Sequence, residues 1–251
     1  MISIKMLLKN FIMLTKVARF LFVLAGFFIA NGLSAQQIVH EFVSDSISGQ
    51  HLVDLRTQYG NAKTIPVKYE KQILLALSYF PELINIEIEF RLKNQPTPLT
   101  SRPQLGSMLR NAKKRHYIVT ISGKNDSGFE PILFHNLGFN AQIGVLGHEL
   151  SHVSEFTTKS FGGMAKIAFS ELLSKRNVDL FESNTDRNCI RHGLGYQLLD
   201  WSITVREKLK IEYWRGVGNM HLQEKSERYL NPADITKIMA GMELYEKQSV
   251  K

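Results

Sequence analysis

Phe139-Asn140-Ala141-Gln142-Ile143-Gly144-Val145-Leu146-Gly147-His148-Glu149-Leu150-Ser151-His152-Val153 is the stretch on which the reading of this chain turns. Its first half is apolar and small. Its second half sets two histidines four residues apart around a glutamate. At 3.6 residues per turn, positions four apart share a helix face, so both imidazoles can converge on one point. Val145, His148 and His152 fall on that same face, so the histidines point where the apolar residues point. The pattern is H-E-x-x-H, in which the two histidines hold a zinc ion and the intervening glutamate reaches a water on the metal without being a ligand. Zinc brings the pKa of such a water towards neutrality, and Glu149 is placed to take its proton.

A zinc ion that does chemistry takes three protein ligands and keeps a fourth position open. The metzincin pattern, H-E-x-x-H-x-x-G-x-x-H, would need glycine at 155 and histidine at 158. The chain has Glu155 and Thr158 there, which excludes it. Further on, Val178-Asp179-Leu180-Phe181-Glu182-Ser183-Asn184-Thr185-Asp186-Arg187 places Glu182 and Asp186 on one helix face. One carboxylate of such a pair can bind the metal while the other accepts the N–H of a ligating histidine and fixes its tautomer. Glu171 and Glu155 compete for the third position. Glu171 has Lys175 where a supporting acid would stand, and Glu155 is too close along the motif helix to complete a tetrahedron easily.

His148-Glu149-Leu150-Ser151-His152 followed by Glu182-x-x-x-Asp186 resembles the gluzincin metallopeptidases, the clan that includes thermolysin, and most of all its compact members with one integral or exported catalytic domain. The resemblance covers about forty residues. It implies a zincin-like fold with Zn2+ on His148, His152 and Glu182. It also implies Glu149 as general base, Asp186 behind a ligand histidine, and a peptide or protein substrate. Gluzincins add a histidine or tyrosine that stabilises the oxyanion. His192 and Tyr196 are the candidates, with Tyr213 a third, and Gly193 and Gly195 could turn the chain back towards the site. Two other functions remain open: a zinc hydrolase of non-protein amides, and a non-catalytic exported protein that keeps a metalloprotease fold. The complete motif favours catalysis, because a protein that only binds could lose Glu149.

Residues 1–35 read as a signal peptide: Lys5, Lys9, Lys16 and Arg19 without an acid, the apolar run 20–29, and a cleavage site at Leu33-Ser34-Ala35. Met13 is an alternative start. Export to the periplasm or beyond follows, with membrane attachment only if the segment stays uncleaved. Losing those four cations brings the formal charge from +8 to +4. That mild excess, with no aromatic-interleaved basic patch, argues against nucleic acid as a partner. Cys189 is the only cysteine, so no intramolecular disulfide forms, and a buried structural thiol is expected. The roughly 216 residues that remain suffice for a core of their own.

The pattern predicts an α+β chain: a polar segment over 36–62, then a catalytic domain over 63–251. An extended piece at 64–69 precedes a helix over 70–80 with Ile73, Leu74, Leu77 and Phe80 on one face. A strand over 84–92 alternates Ile84, Ile86, Ile88 and Phe90 against polar residues. Residues 94–103 read as a loop, 117–122 as a second strand and 131–134 as a third. The 117–122 strand, coming shortly before the motif helix, is a candidate edge for an extended substrate. Helices are expected over 160–176, 179–191, 198–209 and 232–246, the last opened by Asn231 as cap and Pro232.

Overall fold

The computed structural model describes residues 38–124, 128–216 and 225–246; the signal segment read at 1–35 lies outside them, as do the side chains of residues 168 and 170–173. Helix α1 (Gly49–Tyr59) is capped by Ser48, whose side chain accepts the His51 N–H. Strand β1 (Lys63–Thr64) follows, then α2 (Glu70–Leu77), β2 (Glu87–Leu92), β3 (Leu99–Pro103) and β4 (His116–Ile121). The helical half comprises α3 (Phe139–Thr157), α4 (Phe161–Leu173), α5 (Lys175–Arg191), α6 (Gly195–Leu209), α7 (Pro232–Ala240) and α8 (Glu243–Glu246). The fold is α+β, as the periodicities require. No helix among the described residues is long and apolar enough to cross a membrane.

The sheet runs β1-β2-β4-β3. The first three strands are parallel, and β3 lies antiparallel to β4 with Leu99 opposite Ile121 and Pro103 opposite Tyr117. Two expectations are therefore corrected. The 117–122 strand is interior, paired on both sides, and the edge belongs to β3, inside the stretch read as a loop. Pro98 and Pro103 and a lack of strong alternation made that stretch look irregular. A strand with no neighbour on its outer side tolerates such residues.

Other boundaries move for local reasons. The proposed strand at 131–134 is two 3-10 turns, Glu130–Ile132 and Phe134–Asn136, whose apolar residues are buried by packing rather than pairing. Pro81–Leu83 tightens into another turn, so β2 starts at Glu87 rather than 84, while Ile86, Ile88 and Phe90 still enter the core. Helix α2 stops at Leu77, yet Phe80 is buried with Ile73, Leu74 and Leu77. The 232–246 helix breaks at Gly241 into α7 and α8. The segment read as polar holds α1, whose Leu55 joins Ile38 and Ile47 in the core. Cys189 is fully buried.

Helix α3 runs through the middle, packed by α2, α5, α6 and β3. From Ala141 to Thr157 every residue but Glu155 is buried. The small residues seen in the sequence are the reason α6 can come so close. A Cβ at Gly144 would stand 2.1 Å from the Gln197 carbonyl oxygen of α6, a distance no side chain can occupy. Gly144→Ala therefore forces the α3–α6 pair apart and destabilises the protein by about 2–3 kcal/mol or more. Gly49→Ala, at the open start of α1 with nothing within 4 Å, leaves stability unchanged or raises it slightly. Urea denaturation of both variants checks this contrast.

Candidate metal centre

His148 and His152 leave α3 one turn apart and meet Glu182, which α5 brings in from the side. His148 Nε2 lies 3.1 Å from His152 Nε2 and 3.1 Å from Glu182 Oε2, and the third side, His152 Nε2 to Glu182 Oε2, is 3.3 Å. This buried group could hold a metal ion. The far side of each ring is already engaged. His148 Nδ1 donates to Asp186 Oδ1 at 2.8 Å. Thr185 Oγ1 gives its hydrogen to the Phe181 carbonyl at 3.0 Å and so accepts from His152 Nδ1 at 3.2 Å. With both Nδ1 atoms carrying hydrogens, both Nε2 atoms present lone pairs to the same point. Glu182 Oε2 joins them, buried and without a hydrogen-bond partner among the described residues.

Three lone-pair atoms facing one another at such distances call for a cation between them. The charges say the same. Burial opposes charge on His148, but Asp186 and Glu182 outweigh it and raise its pKa well above the ordinary histidine value. Burial likewise opposes the Glu182 carboxylate, and the two imidazoles override it and hold its pKa far below the usual range. The aromatic surroundings fix the rings: Phe181 stacks on His152 with centroids 5.0 Å apart, and Trp201 and Tyr229 flank His148 at 5.7 and 5.5 Å.

The centre opens on a cavity of about 480 Å3. Glu149 is buried and lines this cavity beside His148, outside the three-atom group. One wall is the edge strand β3 with the turn before it, from Thr97 to Pro103. Opposite elements contribute Phe156, Phe181, Trp201, Trp214 and Tyr229. Tyr229 is held there by its neighbours. The Leu230 N–H donates to Asp186 Oδ2 at 2.8 Å, Asp179 pairs with Arg215 and Arg228, and Arg206 pairs with Glu227. Burial, then the charges of Glu182, Glu149 and Asp186, raise the Tyr229 pKa well above the usual phenol value, so its hydroxyl is a neutral donor.

His148, His152, Glu182, Asp186 and Glu149 are thus brought together, and the other sequence candidates are not. His192 closes the C-terminal end of α5, where it stacks on Phe80 and bonds Glu82 at 3.0 Å, and the chain turns only after it, at Gly193 with φ +90°. Tyr196 stacks on His40 instead. Neither lines the cavity, nor does Tyr213. Glu155 pairs with Lys159 at 3.4 Å, and the Glu171 side chain lies outside the described residues. Thr185 and Tyr229 escaped the sequence reading. Thr185 was within reach, being three residues after Glu182 on the same helix face; Tyr229 follows an aperiodic stretch that carries no such signal. No known protein family, curated protein or solved structure matches this chain.

The Asp186 contacts predict a measurable effect. Asp186→Asn keeps the side-chain shape but sets an NH2 group against either the His148 Nδ1 hydrogen or the Leu230 N–H. Affinity for a divalent metal ion falls about 10- to 100-fold, read by competition with a chelator.

Proposed function

We propose that this chain is an exported zinc-dependent hydrolase of the gluzincin kind, acting on peptide bonds. The observation that carries the reading is the triangle of His148 Nε2, His152 Nε2 and Glu182 Oε2, with sides of 3.1, 3.1 and 3.3 Å. Zinc bound to nitrogen and oxygen at about 2.0–2.2 Å sets tetrahedral ligands roughly 3.3 Å apart, so the triangle already has the size of one zinc face. When bound, zinc acts as a Lewis acid that makes a water nucleophilic near neutral pH and polarises a carbonyl.

The residues of the chain supply the rest. Glu149, next to the ligands but not among them, accepts the proton of the attacking water and passes it to the leaving amine. Tyr229, a neutral hydroxyl that lines the cavity with its ring 5.5 Å from that of His148, donates to the oxygen on which negative charge develops. Asp186 and Thr185 hold the two rings in the tautomer that keeps each Nε2 free. β3, which pairs with no strand on its outer side among the described residues, runs along the cavity, where an extended peptide can add as a further strand. That edge favours a peptide over a non-protein amide, and the intact Glu149 favours catalysis over binding alone.

Purified protein is expected to hold about one zinc per chain, and Glu182→Ala to lose it or bind it far more weakly. Zinc retained in that variant, by elemental analysis, sinks the assignment of the third ligand. Glu149→Gln keeps the metal and loses about 10²- to 10⁴-fold in turnover of an unstructured peptide substrate. Tyr229→Phe lowers kcat about 10²- to 10³-fold with little change in KM, the mark of a bond made only in the transition state.

A further inference from the structure

Between Glu89 and Asp126 the sequence contains no acid. The middle of that span, from β3 to β4, carries Arg102, Arg110, Lys113 and Lys114, all exposed. Among these cations stand Leu105 and Leu109, which are 79% and 85% exposed and so contribute almost nothing to the core. Exposed leucines on a loose loop would mean little. This loop is tied down. Arg115, 1% exposed, turns its guanidinium inward and donates to the carbonyls of Met108 and Arg110 at 3.2 Å each. Its Nη1 reaches the Lys159 carbonyl at 2.9 Å, fastening the loop to the turn between α3 and α4. Ser107 Oγ accepts the His116 N–H at 3.1 Å and donates to the Gln104 carbonyl at 2.8 Å. Just beyond Lys159, Phe161 is half exposed.

We propose that the 102–114 loop, with Phe161 beside it, docks this protein on an anionic lipid bilayer. Leu105 and Leu109 enter the boundary between headgroups and acyl chains while the surrounding cations meet lipid phosphates. Charge selects this occupant. A second copy of the chain would set cation against cation at the same place. A nucleic acid would find no aromatic side chain on the loop itself and the single Phe161 beside it, too little to stack successive bases, and would have no use for the two exposed leucines. An ordinary apolar protein groove would have no use for four cations and no acid. Arg102 and Pro103 also line the cavity, so docking brings the β3 wall to the lipid surface. On the proposed function, and for this last consequence alone, substrates held at a membrane are then favoured.

The test places an environment-sensitive fluorophore on the loop of the full chain through Leu109→Cys; Cys189 is buried and does not compete for the label. The probe reports polarity at position 109 itself, so the apolar run near the N-terminus does not generate its signal. With phosphatidylglycerol vesicles the emission is expected to shift to the blue and to be quenched by brominated acyl chains. With phosphatidylcholine vesicles it stays unchanged. Raising salt from low to molar concentration reverses the shift without any further substitution. Adding Arg110→Glu, Lys113→Glu and Lys114→Glu lowers partitioning at least about a hundredfold. No shift with anionic vesicles overturns the proposal. So does an equal shift with neutral vesicles or in the charge-reversed variant. A shift that grows with protein concentration in the absence of lipid would show self-association and overturn it as well.

Discussion

Asp186 is the residue that the rest of the centre depends on. Its carboxylate is 1% exposed, and removing such a charge from water costs several kcal/mol unless both oxygens are answered. Here both are: one takes a hydrogen from His148 on α3, the other from the Leu230 backbone. Three separate parts of the chain must therefore stay in register around one side chain. The ring is fixed by the first bond, and Tyr229 is brought over that ring by the second. Asp179, two helical turns earlier on α5, repeats the device at lower burial by pairing with Arg215 and Arg228. The return segment after α6 thus hangs from two acids of one helix.

Which parts of this arrangement could be read from sequence follows from where they sit. His148, Glu149, His152, Glu182 and Asp186 lie on two helices, and on a helix spacing translates directly into direction. The buried face of α2 and the alternation in β2 were legible for the same reason. Legibility stopped where direction is set by contacts distant in sequence. β3 follows Pro98, ends on Pro103 and has no clear alternation, and only its pairing with β4 makes it a strand. His192 and Tyr196 are close to Asp186 in sequence, but His192 sits at the far end of α5 against Phe80 and Glu82, and a left-handed residue at Gly193 redirects the chain before Tyr196. Tyr229 is placed by ion pairs and by one backbone hydrogen bond to a residue 44 positions earlier, and none of that shows in a local window.

The same centre illustrates how a fold prepares for a cation. Two imidazoles and a carboxylate would repel one another if each kept its lone pair aimed at the others. The carboxylates of Asp186 and Glu182 make that point a well for positive charge and raise the His148 pKa against its burial, while the two imidazoles hold that of Glu182 down against its own. Thr185 and Asp186 decide which atoms face inward, so the donor set is assembled by hydrogen bonding before any ion arrives.

Helix α3 has almost no solvent face; its Gly144 is pressed against the backbone of α6, and its Gly147 against the side chains of Leu194 and Cys189. Such an element is nearly closed to innovation: a change of volume at any of its positions is felt by the helix, the sheet edge or the ligands at once. The other two walls of the cavity are not so bound. The edge strand meets the cavity with Thr100, Ser101 and Arg102, of which Arg102 is exposed, and the described ends of the return segment meet it with Trp214, Arg228 and Tyr229. Divergence of specificity among descendants of this chain would therefore be written in those two segments, around a motif helix with little room to change.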